Sequence, residues 1–115
     1  MTLLAAADLL FASRIQEAAR GTGVEVTVAP RDSDLLARAR ELCPAALALD
    51  LSGVLDSPAL IRALRAEPTL QGLRIFGYSG HEQVELMDAA RKAGADAVFA
   101  RGELTRKLPE LLKSL

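Results

Sequence analysis

Cysteine, histidine and tryptophan are nearly missing from this chain: its 115 residues hold one Cys, one His and no Trp. A lone Cys43 excludes an intramolecular disulfide, which suits a reducing compartment. Together, Cys43 and His81 cannot assemble a zinc site of the Cys/His kind. Aromatic residues make up only 3% of the chain, so Leu, Ala, Val and Ile must fill the core. No excess of either charge is present, the formal net charge being −1. That balance argues against a general binder of nucleic acid or anionic membrane. No apolar run approaches bilayer length. The start, Met1 to Phe11, lacks the basic flank of a signal peptide and holds Asp8 inside its apolar stretch. We therefore expect one soluble, cytoplasmic domain over residues 1–115, with no output domain.

What is present is an alternation of short apolar runs with longer helical ones, repeated five times. Strands are expected at Thr2–Ala6, Val24–Val28, Ala46–Leu49, Leu73–Tyr78 and Ala97–Phe99. Asp8 can cap the first helix, with Phe11, Ile15, Ala18 and Ala19 on one face. Asp32 or Ser33 can cap the second, which must stop before Pro44. Ser57 followed by Pro58 marks the start of the third. The fourth should run from about Glu82 to Ala93, with Val84, Met87 and Ala90 inward and Gly94 as its stop. Leu104, Leu108, Leu111, Leu112 and Leu115 form a terminal helical stripe. Pro109 interrupts it, marking either the true helix start or a kink.

Five strands alternating with five helices imply an α/β fold, a doubly wound parallel sheet covered on both faces. The flavodoxin-like order 2-1-3-4-5 is the commonest at this size. In that order Asp8, Asp50, Ser79 and Arg101 share one end of the sheet. Asp50 ends the most apolar central run, Ala45 to Leu49, where a carboxylate needs the sheet rim or a partner.

Other motifs are poorer. Gly21-Thr22-Gly23 follows a helix, not the first strand, so it is no dinucleotide fingerprint. Gly77-Tyr78-Ser79-Gly80-His81 has His where a nucleophile elbow needs Gly, and His81 reads as a loop residue or helix cap. Arg38, Arg40, Arg62, Arg65, Arg91 and Lys92 read as solvated helix faces. Cys43, beside Pro44, reads as a small apolar residue.

Four stretches, taken in order, resemble the receiver domain of response regulators: Gly23-Val24-Glu25-Val26, Ala46-Leu47-Ala48-Leu49-Asp50-Leu51, Tyr78-Ser79-Gly80-His81 and Ala93-Gly94-Ala95-Asp96-Ala97. The resemblance, which is to the chemotaxis-regulator type, covers nearly the whole chain. It implies that Asp50 is the phosphoacceptor, Ser79 the hydroxyl that receives the phosphoryl group, and Arg101 the cation where the family has Lys. It also implies an acidic pair after strand 1 that holds Mg²⁺.

The departures from the family are specific. Ala6 and Ala7 stand where the acidic pair belongs, leaving Asp8 as the one metal-ligand candidate. The aromatic switch position holds Val98, with Phe99 one place off. The loop Leu51 to Asp56 lacks the family's Met-Pro turn. This pattern is similar to atypical, or pseudo-, receivers. We expect a stand-alone signalling module of the two-component or phosphorelay type, a binding protein rather than an enzyme. It would dock a histidine kinase, a phosphotransfer protein or another signalling protein, and need no cofactor. The resemblance implies a homodimer surface of the fourth helix, fifth strand and fifth helix. Phe99, Leu104 and Leu108, or the far side of the terminal stripe, are candidates for it, of which most should be core. Asp50 would then be held by Arg101. The competing expectation is a working regulator phosphorylated on Asp50, with Asp8 helping to hold Mg²⁺. A third is a ligand-sensing domain that uses the vacated crevice.

Overall fold

The computed structural model describes residues 1–30 and 34–115. In chain order the elements are β1 (Thr2–Ala6), α1 (Leu9–Ala19), β2 (Glu25–Val28), α2 (Leu35–Leu42), β3 (Ala46–Asp50), α3 (Ser57–Ala66), β4 (Arg74–Ser79), α4 (Val84–Ala93), β5 (Ala97–Ala100) and α5 (Arg101–Lys113). A single 3₁₀ turn, Pro68–Leu70, follows α3. The strands form one parallel sheet in the order β2-β1-β3-β4-β5, as the alternation predicts.

Strand side chains alternate between faces, and the sequence fills both. Leu4, Leu47, Leu49, Ile75 and Val98 pack with Leu35, Ala39, Ile61, Leu64, Met87 and Ala90 of α2, α3 and α4. Leu3, Ala5, Ala46, Ala48, Phe76 and Tyr78 pack with Phe11, Ile15, Ala19, Leu104, Leu108 and Leu112 of α1 and α5. The second face is rich in Ala along the central strands, and that leaves room for the rings of Phe11, Phe76 and Tyr78. Of the dimer-surface candidates, Leu104 and Leu108 are buried in this core, as expected of most of them.

Several helix boundaries differ from expectation. Asp34 caps α2, its Oδ1 accepting from the Ala37 N–H at 3.1 Å. The expected caps, Asp32 and Ser33, lie outside the described residues. Asp56, in the left-handed region at φ 50°, caps α3 by accepting from Ala59 N–H at 3.2 Å. Ser57 is instead the first helical residue, buried with an unpartnered hydroxyl. A turn closed by Gln83 N–H on Gly80 O (3.0 Å) delays α4 to Val84. This later start leaves Val84 exposed and puts Leu86, Met87 and Ala90 against the sheet. His81 is exposed in that turn, and Gln83 holds the cap position. Pro109 neither starts nor breaks α5, which runs unbroken from Arg101 to Lys113. Cys43 is exposed rather than packed: it closes α2 in the left-handed conformation.

The Gly94-Ala95-Asp96 stretch has a structural cause. Asp96 Oδ2 accepts from the Ile75 N–H at 2.6 Å and pairs with Arg65. Arg65 also donates to the carbonyls of Gly94 and Leu73. Far from being a solvated charge, it ties α3 to the entrances of β4 and β5. Gly94 has φ 120°, and a Cβ there would meet the Arg65 stem at 2.9 Å, so only glycine suits both demands.

Candidate functional site

The parallel sheet brings Asp8, Asp50, Ser79 and Arg101 to its carboxyl edge. β1 ends at Ala6, β3 at Asp50, β4 at Ser79, and Arg101 opens α5 directly after β5. Asp50 pairs in register with Tyr78. Its Oδ1 accepts from the backbone N–H and the hydroxyl of Ser52, at 3.2 and 3.1 Å. The chain then folds over the carboxylate, Gly53 N–H donating to Asp50 O at 3.1 Å. A Cβ at Gly53 would lie 3.0 Å from Asp50 Oδ2, so the close approach requires a small residue. Oδ2 has no hydrogen bond among the described residues; its nearest cation is Arg101 Nη2 at 4.0 Å.

Arg101 makes its short contact elsewhere. Nη1 donates to Asp8 Oδ2 at 2.7 Å, so the expected Asp50–Arg101 pair is the longer of two. The guanidinium lies over the rings of Tyr78 (5.2 Å) and Phe11 (5.6 Å), which stack on each other at 4.1 Å. A delocalised planar cation suits this platform as a Lys ammonium would not. The platform itself went unread in the sequence. Phe11 and Tyr78 are two of only three Phe and one Tyr, and such scarcity beside predicted sheet-edge loops was the available signal.

Asp8 is committed on both oxygens: Oδ2 holds Arg101, and Oδ1 caps α1 by accepting from Phe11 N–H at 2.8 Å. The Arg101 hydrogen bond, then the Phe11 N–H, hold its carboxyl below the usual 3.8, and the same contact raises Arg101. A carboxylate with a depressed folded pKa stabilises above its unfolded value and loses that stabilisation as pH falls through the folded one. Asp8 and Arg101 are 36% and 42% exposed, so the pair is worth at most about 1 kcal/mol. Urea unfolding should thus lose stability between about pH 5 and pH 3 more steeply in wild type than in Asp8→Asn. Asn keeps the cap and removes the charge.

These residues do not fit Mg²⁺, which needs several oxygen ligands in octahedral array. Ala6 and Ala7 bring methyl groups, Asp8 is fully engaged, and no cluster of three or more His, Cys, Asp or Glu occurs among the described residues. Ser79 is fully buried, its hydroxyl donating to Gly80 O at 3.3 Å. Val98 is buried within the core.

The same fold recurs in solved response-regulator structures. A provisionally assigned response regulator from Chloroflexus aurantiacus J-10-fl superposes with a TM-score of 0.78 and 26% identity, over 96% of each chain. The chain has the receiver-domain fold. A signal receiver domain from Bermanella marisrubri gives 0.75 and 24%, again over 96% of each chain. The chemotaxis response regulator CheY4 of Vibrio cholerae gives 0.80 at 16% identity, covering 98% of this chain and 95% of that one. No family model matches the sequence, and neither does any curated protein. On this receiver fold, Asp50 lies at the carboxyl end of the central strand. No helix among the described residues is long and apolar enough to cross a membrane.

Proposed function

We propose that this chain is a receiver-like module of two-component signalling that works by docking a protein partner and is not switched by Mg²⁺-dependent phosphorylation. One observation carries the reading: the Arg101 guanidinium sits 2.7 Å from Asp8 and 4.0 Å from Asp50. A permanent positive charge thus stands between the carboxylates, in the role a divalent cation plays in phosphoryl transfer. Because arginine stays protonated at any physiological pH, the arrangement is constant rather than ligand-gated. Aromatic rings under the guanidinium and the Ser52 contacts to Asp50 favour the same fixed state.

Docking has support at the same edge. Leu9 and Leu10 at the start of α1 and Leu55 in the β3–α3 loop are 86%, 65% and 97% exposed. Large exposed apolar side chains beside a crevice suit a protein partner, such as a histidine kinase or phosphotransfer protein. One feature favours the competing reading, phosphorylation at Asp50: Oδ2 is free of hydrogen bonds among the described residues.

Acetyl phosphate separates the two. With Mg²⁺ present, intact-mass measurement should find no phosphoryl adduct on the wild-type chain. A stoichiometric adduct that disappears in Asp50→Asn would establish the second reading in place of the first.

A further inference from the structure

The carboxyl edge also carries a crevice of about 870 Å³, between the ends of β1, β2 and β3. It lies where the chain leaves β1 for β2 on one side and β3 on the other, the position at which open α/β sheets bind ligands. Its volume falls within the range of small-molecule sites. Ala6, Ala7, Ala29, Leu35 and Val54 make its walls apolar. The only charged side chains that line it among the described residues are Asp8 and Asp50.

Those two acids are not equivalent. Asp8 has both oxygens occupied, by Arg101 and by the α1 amide. Asp50 is nine-tenths buried, and its Oδ2 has no hydrogen bond among the described residues. Arg101 approaches Oδ2 only to 4.0 Å and does not line the crevice. A carboxylate oxygen that opens on an apolar crevice with unused acceptor capacity favours a donor that arrives with positive charge.

We propose that this crevice binds a small organic ammonium with an apolar body. The ammonium donates to Asp50 Oδ2, and the body replaces water against Ala6, Ala7, Leu35 and Val54. Alanines where acids would project give the body its room. Leu9 and Leu55 border both this crevice and the docking edge, but whether Asp50 accepts a phosphoryl group does not enter into amine binding, so the two tests fail separately.

Hexylamine and phenethylamine are suitable probes, with 1-hexanol and hexanoate as neutral and anionic counterparts. Backbone amide NMR should show saturable shifts with both amines, confined to residues 6–9, 28–30, 35 and 50–55. The alcohol should bind at least about tenfold more weakly, and hexanoate not at all. Asp50→Asn should remove the preference for amine over alcohol while keeping the folded spectrum. Ala6→Leu should weaken amine and alcohol alike by filling the crevice. Absence of saturable shifts with either amine would overturn the proposal, as would equal binding of hexylamine and hexanol. Binding of hexanoate in preference to hexylamine would overturn it as well.

Discussion

Tyr78→Phe is expected to raise stability by about 1 kcal/mol, whereas Tyr78→Ala is expected to lower it by ~3–5 kcal/mol. Opposite signs at one position follow from the two halves of the side chain. The ring is fully buried, stacks on Phe11 at 4.1 Å and lies beneath the Arg101 guanidinium. Truncating it opens a cavity in the α1/α5 face of the core and removes half of the aromatic platform. The hydroxyl, by contrast, is buried with no hydrogen-bond partner. Burial first, then the charges of Asp50 and Asp8, push its ionisation upward, so the phenol stays neutral, and the Arg101 charge and the Asp8 backbone offset only part of that burial. Urea midpoints at neutral pH measure both variants. A Phe variant less stable than wild type by more than about 1 kcal/mol would show that the hydroxyl has a partner.

Restoring the missing acids should create a markedly stronger metal site when Arg101 is also changed. Ala6→Asp with Ala7→Asp supplies carboxylates beside Asp50, yet the guanidinium still holds Asp8 at 2.7 Å and screens Asp50 from 4.0 Å. A divalent ion placed between Asp8 and Asp50, where the guanidinium already lies, meets like-charge repulsion at short range. Adding Arg101→Lys exchanges a planar fork stacked on two rings for a compact, mobile point charge. The triple variant is therefore expected to bind Mg²⁺ with a millimolar Kd, and the double variant about tenfold more weakly. Tyr78 is the only tyrosine, and the chain has no tryptophan, so intrinsic fluorescence reports from beside the site. Equal affinity in double and triple variants would mean that Arg101 does not fill the cation's place.

The strands and their order were legible because two simple rules acted together. Apolar runs of strand length alternated with helical stripes, and parallel crossovers at this size favour one order. That placed Asp8, Asp50, Ser79 and Arg101 on one edge, where the structure has them. Helix starts were less legible because neighbouring residues offer equivalent caps. At α3, Asp56 takes the amide that Ser57 was expected to take, and burial of Ser57 follows from that choice. At α5, helical packing of Leu104, Leu108 and Leu112 outweighs the amide that Pro109 lacks.

The partner of Arg101 was not legible either. Asp8 and Arg101 are 93 positions apart, and Asp50 competes for the same guanidinium at similar reach. The choice is made by tertiary geometry: the Phe11–Tyr78 stack fixes the plane of the guanidinium, and the α1 amide fixes the Asp8 carboxylate. Similarly, the resemblance to receivers implied a hydroxyl role for Ser79, but not that this hydroxyl is buried and turned to the Gly80 carbonyl.

Titrating the wild-type protein with Mg²⁺ while following Tyr78 fluorescence tests most directly whether Arg101 replaces the metal. With the guanidinium already between Asp8 and Asp50, no saturable change should occur through the millimolar range. A saturable millimolar response that is lost in Asp50→Asn would contradict the account.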